Sequence, residues 1–212
     1  MKPTGATPHP SFPRVGITGG IGSGKSTVCR IFQETFGIPV FNADSWAKNL
    51  IESDPELKRG IISIFGEEAY DDSGRYNRPF VATAAFSSPE KLSALNALVH
   101  PAVEKAAIAW HLDQVQSGAA YTIKEAALMV ESGSYRQLDY LIVVSAPEDL
   151  RLQRVMDRDG LSETQVRARM KGQWPESEKL ALADFVIYND GSQLLLPQIW
   201  QAHRQILVIS QN

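Results

Sequence analysis

The strongest constraint on this chain is a motif with the residue spacing of a phosphate-binding loop, Gly19-Gly20-Ile21-Gly22-Ser23-Gly24-Lys25-Ser26. The motif directly follows the apolar residues Val15-Gly16-Ile17-Thr18. This order predicts a buried strand that ends at a tight turn, with a helix that begins near Lys25. The motif therefore favours an α/β fold with the loop at the carboxyl end of a strand.

Each residue type in the motif has a chemical role toward a nucleoside triphosphate. Gly22 and Gly24 let the backbone adopt positive φ and approach the phosphates, so that the N–H groups of the loop surround them. Lys25 brings a positive charge to the β and γ phosphates, and the hydroxyl of Ser26 is a ligand for Mg²⁺. The start of the following helix adds unpaired N–H groups and the positive end of its dipole.

Composition excludes several other classes of protein. The net charge of −3 and the pI near 5.8 give no broad positive field, which argues against nucleic acid as a partner. Cys29 is the sole cysteine, so an internal disulfide is excluded and a reducing compartment is favoured. No apolar stretch approaches the roughly 20 residues of a membrane span, and the amino terminus lacks the apolar core of a signal peptide. We therefore expect a cytoplasmic protein without a membrane partner.

Apolar runs that alternate with helical patterns predict a doubly wound parallel sheet. The predicted strands lie at 15–18, 38–41, 121–124, 140–144 and 184–188. Residues 44–118 have a helical pattern throughout, with expected breaks at Asp54-Pro55, Ser88-Pro89 and His100-Pro101. The segment Met1–Pro13 contains four prolines and is expected to form an arm outside the fold.

Two acidic residues stand at the ends of predicted strands, where ligands of an open parallel sheet gather. Asp44 follows the second strand and can accept a proton from an attacking hydroxyl or orient it toward the γ phosphorus. The same residue can serve as the N-cap of the next helix. Glu125 ends the third strand and can support Mg²⁺ through water, or open a helix. The sequence leaves these alternatives open.

Arginines recur on the helix that follows the fourth strand. Arg154 and Arg158 are four residues apart and therefore share one face of that helix. On a mobile arm they can reach the charge that develops on a transferred phosphoryl group and help to exclude water. A solvated helix face is the alternative interpretation.

Together these segments resemble the dephospho-CoA kinase family, which phosphorylates the 3′ hydroxyl of the ribose of dephospho-CoA. The resemblance runs from Val15 to about Leu195. It depends on the order and spacing of several short motifs: Thr18 to Thr27, Ala43-Asp44, Leu98-Val99-His100-Pro101, Glu131, Arg154 with Arg158, Arg169 with Gln173, and Ala183-Asp184-Phe185-Val186-Ile187 followed by Asn189.

The resemblance implies a three-part kinase that uses ATP and Mg²⁺ on the small-molecule substrate dephospho-CoA. A nucleotide-binding core would comprise residues 14–43, 119–150 and 181–212. A helical substrate-binding domain would comprise residues 44–118, and a helical lid residues 151–180. For the quaternary structure we expect a monomer or a weak homo-oligomer.

The loop motif and the resemblance together predict the site residues. Asp44, Lys25 and Arg154 are expected to be catalytic, with Asp44 as the acid-base or hydroxyl-orienting group. Ser26 is the expected metal ligand. The expected nucleotide contacts are Gly20, Ile21, Gly22, Ser23, Gly24, Lys25, Ser26, Thr27, Arg158 and, near adenine, Asn189.

The chain departs from the family pattern at two places. Asn42-Ala43-Asp44 stands where the family commonly has Asp-Ala-Asp, so Asp44 alone can serve as the base. Ala127-Leu128-Met129 stands where the family often has Pro-Leu-Leu, which affects the local loop rather than the reaction. Two alternative functions are another nucleoside monophosphate or small-molecule kinase, and a regulator that binds ATP without transferring phosphate.

Overall fold

A five-stranded sheet organises the protein, whose computed structural model describes residues 12–210. The strands are β1 (Arg14–Thr18), β2 (Val40–Asn42), β3 (Thr122–Glu125), β4 (Tyr140–Ser145) and β5 (Phe185–Tyr188). They lie in the order β2-β3-β1-β4-β5. β1 runs parallel to both β3 and β4, and β4 runs parallel to β5. The carboxyl ends of these paired strands therefore lie at one edge of the sheet.

Helices connect these strands. They are α1 (Lys25–Phe36), α2 (Ala43–Ser53), α3 (Pro55–Phe65), α4 (Arg78–Phe86), α5 (Pro89–Gln116), α6 (Glu148–Asp159), α7 (Glu163–Lys171), α8 (Glu176–Leu182) and α9 (Leu195–Ser210). Short 3-10 helices cover Glu67–Ala69 and Ser134–Gln137.

The two strands beside the predicted loop are buried on both faces. Every residue of β4 is buried, and Val15 and Ile17 of β1 have no exposed surface. Phe32 of α1 and Ile199 of α9 pack into the same core. This burial explains the unbroken apolar runs of the sequence, since a parallel strand covered on both sides has no polar face.

The predicted fold class is confirmed by this sheet. α1 begins at Lys25, as the loop motif predicts, and ends at Phe36. Gly37 follows with a φ of 65° and donates its backbone N–H to the carbonyl of Gln33, a C-cap geometry that glycine adopts without strain. Cys29 is buried in α1, and this burial raises the pKa of its thiol. The expectation for Met1–Pro13 falls on residues 1–11, which lie outside the described part of the chain, and on two residues before β1.

The chain separates into two compact units. One is formed by Met1–Phe41 with His111–Asn212, and the other by Asn42–Trp110. The unit of Asn42–Trp110 has a core of its own, formed by Ile61, Phe65, Ala69, Tyr70, Val81 and Ala85. The division into nucleotide core, substrate domain and lid stays a prediction.

Side-chain caps set the helix starts within Asn42–Trp110. Asn42 accepts a hydrogen bond from the backbone N–H of Ser45 at 2.8 Å and caps α2. Asp54 caps α3 in the same way, with Pro55 in the first turn, where its missing N–H has no cost. The predicted break at Asp54-Pro55 is therefore confirmed.

The predicted break at His100-Pro101 is wrong. α5 starts at Pro89, after the predicted break at Ser88-Pro89, but it continues through Pro101 to Gln116. A proline inside a helix removes one hydrogen bond and costs about 3 kcal/mol. A helix of 28 residues retains enough hydrogen bonds and packing on both sides of Pro101 to offset that cost. His100 therefore lies inside a helix rather than at the start of one.

A buried polar pair joins the sheet to the last helix. The hydroxyl of Tyr121, which precedes β3, lies 2.8 Å from Nδ1 of His203 in α9. The His203 ring stacks on Phe36 with a centroid separation of 4.6 Å. Burial lowers the pKa of His203, because the apolar surroundings disfavour the charged imidazolium.

This burial makes the stability of the protein sensitive to acid. Unfolded histidine titrates near pH 6.5, and the folded pKa lies lower, so the unfolded state binds more protons as the pH falls through about 6.5. Stability contributed by neutral His203 is therefore present above that pH and is lost below it. We expect His203→Gln to reduce the loss of unfolding free energy between pH 7.5 and 5.5, measured in urea. The exposed His100→Gln is the control, and an unchanged pH slope in His203→Gln would contradict the assignment.

Candidate active site

The predicted phosphate-binding loop connects β1 to α1, and its glycines have the backbone torsions that the motif anticipates. Gly22 and Gly24 have φ values of 81° and 97°, in the left-handed region that favours glycine. Gly24 is the N-cap of α1 and, as a glycine, has no side chain with which to cap the helix. Such a helix start is a site for an anion.

The side chains that follow the loop point back toward it and toward β3. Lys25 Nζ donates to the carbonyl oxygens of Gly19 and Gly20, at 3.0 and 3.2 Å. Ser26 Oγ donates to Glu125 Oε1 at 2.9 Å. Glu125 is 7% exposed at the end of β3, so it belongs to the strand and does not open a helix. The loop hydroxyl and a buried carboxylate therefore form one pair of oxygen groups.

Arg151 packs against the loop, a contact that the sequence analysis did not predict. A methyl group on Gly22 would lie 2.5 Å from the backbone oxygen of Arg151, and one on Gly20 would collide with its guanidinium. Arg151 is 8% exposed, and its Nε donates to the carbonyl of Ala146 at 2.9 Å. Its Nη2 lies 3.5 Å from Glu176 Oε2 in α8. The absence of side chains at these glycines thus lets α6 approach the loop closely.

The two predicted arginines of α6 have different surroundings. Arg154 is half-buried, and its Nη1 donates to the carbonyl of Gly22 at 3.5 Å. Arg158 is exposed and forms an ion pair with Asp159 at 2.7 Å. Asp159 also lies 3.3 Å from Nη1 of Arg169 in α7. One acidic residue therefore contacts both Arg158 and Arg169 of the predicted lid, whereas Arg154, like Arg151, contacts the loop.

Asn189, which follows β5, supports the loop from the opposite direction. Its Nδ2 donates to the carbonyl of Ser23 at 2.8 Å, and its backbone N–H donates to Ser145 at 2.7 Å. A methyl group on Gly24 would collide with the Asn189 amide. This contact was not foreseen, since Asn189 was expected near adenine.

The predicted catalytic residue Asp44 lies in the first turn of α2, within Asn42–Trp110. Asn42 is the N-cap of this helix, so capping does not require the carboxylate of Asp44. The alternative in which Asp44 serves only as the cap is therefore excluded. Its role in catalysis stays a prediction.

A segment after α7 connects the predicted lid to the loop that follows β3. Lys179 in α8 is 1% exposed, and its Nζ lies 2.7 Å from Glu131 Oε1. The same oxygen accepts the backbone N–H of Trp174 at 2.8 Å. A cavity of about 470 Å³ lies beside this segment and is lined by Gly20, Arg151, Arg167, Lys171, Glu176 and further residues of α6 to α8. The pairing of Lys179 with Glu131 could not be predicted from the sequence, because nothing in the sequence around a single lysine indicates that it is buried.

A parallel sheet in the order β2-β3-β1-β4-β5, with the phosphate-binding loop after its central strand, defines a P-loop kinase fold. Comparison with known proteins identifies the family. The family model described as dephospho-CoA kinase matches residues 14–194. The chain therefore belongs to the dephospho-CoA kinase family, an enzyme family, and the predicted resemblance is confirmed.

Individual relatives agree with this membership. A dephospho-CoA kinase of Chlorobaculum tepidum is 44% identical over 200 residues, which cover 92% of this chain and 95% of the relative. A solved structure of a Thermus thermophilus protein has a TM-score of 0.77 and 36% identity, covering 94% of this chain and 97% of its own. A solved dephospho-CoA kinase of Campylobacter jejuni has a TM-score of 0.68 and 27% identity, with coverage of 92% and 97%.

Residues 12–210 lack two features, a helix suited to cross a membrane and a cluster of metal ligands. None of the helices there combines the length and apolar character that a membrane crossing requires. The same residues contain no cluster of three or more His, Cys, Asp or Glu side chains arranged to hold a metal ion.

Replacement of Gly22 tests the close packing of Arg151 on the loop. Gly22 and Gly37 both have positive φ, but a methyl group on Gly37 meets no atom within 4 Å, whereas one on Gly22 meets the backbone of Arg151. We expect Gly37→Ala to lower the unfolding free energy by about 1 to 2 kcal/mol and Gly22→Ala by about 2 to 5 kcal/mol. Denaturant unfolding without nucleotide measures both. Equal losses would contradict the predicted steric clash.

Proposed function

We propose that this protein transfers the γ-phosphoryl group of ATP to the 3′ hydroxyl of the ribose of dephospho-CoA, which yields coenzyme A. The observation that carries the proposal is the family match over residues 14–194, which includes the loop and the segment of Asp44. The use of ATP as co-substrate follows from membership in a kinase family. The arrangement around Lys25 and Ser26 supplies the chemical groups that such a transfer needs.

The loop is proposed to bind the triphosphate of ATP. Its backbone N–H groups and the start of α1 provide donors for the phosphate oxygens, and the helix dipole adds a partial positive charge. Lys25 is proposed to exchange its contacts with Gly19 and Gly20 for the β and γ phosphates. Positioning and electrostatic stabilisation then account for most of the catalysis.

Ser26 and Glu125 are the residues proposed to hold Mg²⁺. The hydroxyl and the carboxylate lie 2.9 Å apart, and both are oxygen ligands of the kind that Mg²⁺ prefers. Glu125 is buried at the end of β3, which places its carboxylate beside this hydroxyl. A Mg²⁺ ion held by these residues would neutralise charge on the phosphates of ATP.

Asp44 is proposed to orient the acceptor hydroxyl and accept its proton. The ribose oxygen attacks the γ phosphorus, the bond from that phosphorus to the bridging oxygen breaks, and ADP leaves. The family motif supports this role, as does the capping of α2 by Asn42, which leaves the Asp44 carboxylate available for chemistry. The side-chain amide of Asn42 can form hydrogen bonds, but it cannot accept the proton of the ribose hydroxyl.

The predicted lid residues are proposed to act on the nucleotide. The contact of Arg154 with the loop at Gly22 supports a role in stabilising charge on the γ phosphate. Arg158 would exchange Asp159 for nucleotide, and Asn189 would contact adenine while holding Ser23. Dephospho-CoA as the partner, a monomeric or weakly oligomeric state, and a cytoplasmic location complete the proposal.

The proposed reaction is tested by incubating the purified protein with ATP, Mg²⁺ and dephospho-CoA. We expect the acceptor to gain one phosphoryl group, detected by mass spectrometry, in proportion to the ADP formed. A parallel panel of nucleoside monophosphates provides the comparison. Preferred phosphorylation of a member of that panel would contradict the proposed substrate, and ATP binding without any transfer would indicate a regulator instead.

Replacement of Asp44 tests the proposed base. Asp44→Asn retains the size of the side chain but cannot accept a proton, so we expect kcat to fall by about 10² to 10⁴-fold. Because Asp44 lies outside the loop that is proposed to bind ATP, the ATP dissociation constant should stay within about two-fold of wild type. Single-turnover kinetics and calorimetry measure the two quantities. A kcat near that of the unaltered protein would refute the role of Asp44.

A further inference from the structure

We infer that Gln173 is a positioning residue for the ATP site, which holds the apex of the phosphate-binding loop and connects it to the predicted lid. Gln173 follows α7, and its side-chain amide lies between two backbone groups that are distant in sequence. The inference rests on the proposed function, since it concerns the loop at which ATP is proposed to bind. It adds a role for a residue that the resemblance named without assigning one.

Both ends of the Gln173 amide are used. Oε1 accepts the backbone N–H of Ile21 at 2.7 Å, which is short for a hydrogen bond of this type. Nε2 donates to the carbonyl of Ala127 at 3.2 Å, in the segment that follows β3. One side chain therefore joins the loop apex, the segment after β3 and the end of α7. Asn offers the same acceptor and donor from one planar amide, but its side chain is shorter.

The Ile21 N–H is partly buried, so a hydrogen-bond partner for it stabilises the folded loop. The neighbouring backbone groups of the loop are directed by glycines at positions 20 and 22, so the apex has little steric restriction of its own. A backbone N–H removed from water without a partner costs about 1 to 3 kcal/mol. By accepting this bond, Gln173 fixes the Ile21 peptide and thereby the direction of the N–H groups that follow it.

A second residue of the predicted lid contacts the next residue of the loop. Arg154 Nη1 donates to the carbonyl of Gly22 at 3.5 Å. Gln173 thus accepts from the N–H of Ile21, and Arg154 donates to the carbonyl of Gly22, the next residue of the apex. The two side chains come from different helical segments, the end of α7 and the middle of α6.

The segment that carries Gln173 is itself anchored. The backbone N–H of Trp174 donates to Glu131 at 2.8 Å, and the buried ion pair of Lys179 with the same Glu131 oxygen is 2.7 Å long. A hydrogen bond to a charged group is stronger than one between neutral groups. Gln173 is therefore held by a fixed backbone on one side while its amide restrains the loop on the other.

The test compares two substitutions at this position with a matched glutamine elsewhere in the predicted lid. Gln173→Met retains side-chain length and removes both hydrogen bonds. Gln173→Glu retains an acceptor for Ile21 but loses the donor to Ala127. Gln153→Met is the control. Gln153 is exposed in α6, and its side-chain amide donates to Asp157 in the same helix. Unfolding free energies of all variants establish that each is folded.

Hydrogen exchange and calorimetry provide readouts that do not depend on turnover. For Gln173→Met we expect the Ile21 amide to exchange about 10-fold faster, because its hydrogen bond is lost. We expect ATP to bind about 10-fold more weakly, because binding must then order a looser loop. For Gln173→Glu we expect exchange close to wild type. The KM for ATP should rise in Gln173→Met while the KM for dephospho-CoA stays unchanged, and Gln153→Met should match wild type throughout.

The outcomes separate this inference from the proposed function. Wild-type ATP affinity and wild-type Ile21 exchange in Gln173→Met would overturn the inference, as would equally fast exchange in Gln173→Glu. A parallel rise in the KM of both substrates would also overturn it, because that pattern indicates general loosening of the site. Failure of the unaltered protein to bind ATP would instead refute the proposed function.

Discussion

The phosphate-binding loop must keep its backbone N–H groups available for an anion, so it cannot be stabilised by pairing all of them with its own carbonyls. Neighbouring elements supply the missing support. Asn189 holds the carbonyl of Ser23, Arg151 packs its backbone against Gly22, and Gln173 accepts the N–H of Ile21. The conformation of the loop thus depends on residues that follow β4 and β5 in the chain, and the sheet brings these together.

Buried charge forms part of this support. Removing Arg151 and Lys179 from water costs several kcal/mol for each ion unless partners compensate. Lys179 has the Glu131 carboxylate at 2.7 Å, whereas Arg151 bonds to the Ala146 carbonyl and has Glu176 at the longer distance of 3.5 Å. Such pairs define a single arrangement more than they add stability, because either member alone would be left with an unpaired buried charge. The base of the predicted lid is therefore restrained by specific geometry.

The fold was largely predictable because its signals are local. β1 and β4 are continuous apolar runs, and α1 has a glycine at each end, at Gly24 and Gly37. Such signals depend on residues within one or two turns of each other, so the strand and helix types were assigned correctly. The error at Pro101 has the opposite cause. Its local signal favours a break, but the packing and length of α5 override the propensity of a single residue.

The residues of the candidate site show the same difference between local sequence signals and tertiary contacts. Lys25 and Ser26 could be named from the chain alone, because their chemistry toward phosphate depends on spacing within one loop and that loop is contiguous. The contact of Gln173 with Ile21 spans 152 residues, and the contact of Asn189 with Ser23 spans 166. No periodicity or spacing encodes partners at such separations, because they meet only when the strand order of the sheet has formed. The linear order of residues was enough to predict the phosphate chemistry, and the folded sheet alone decided which side chains hold the loop in shape.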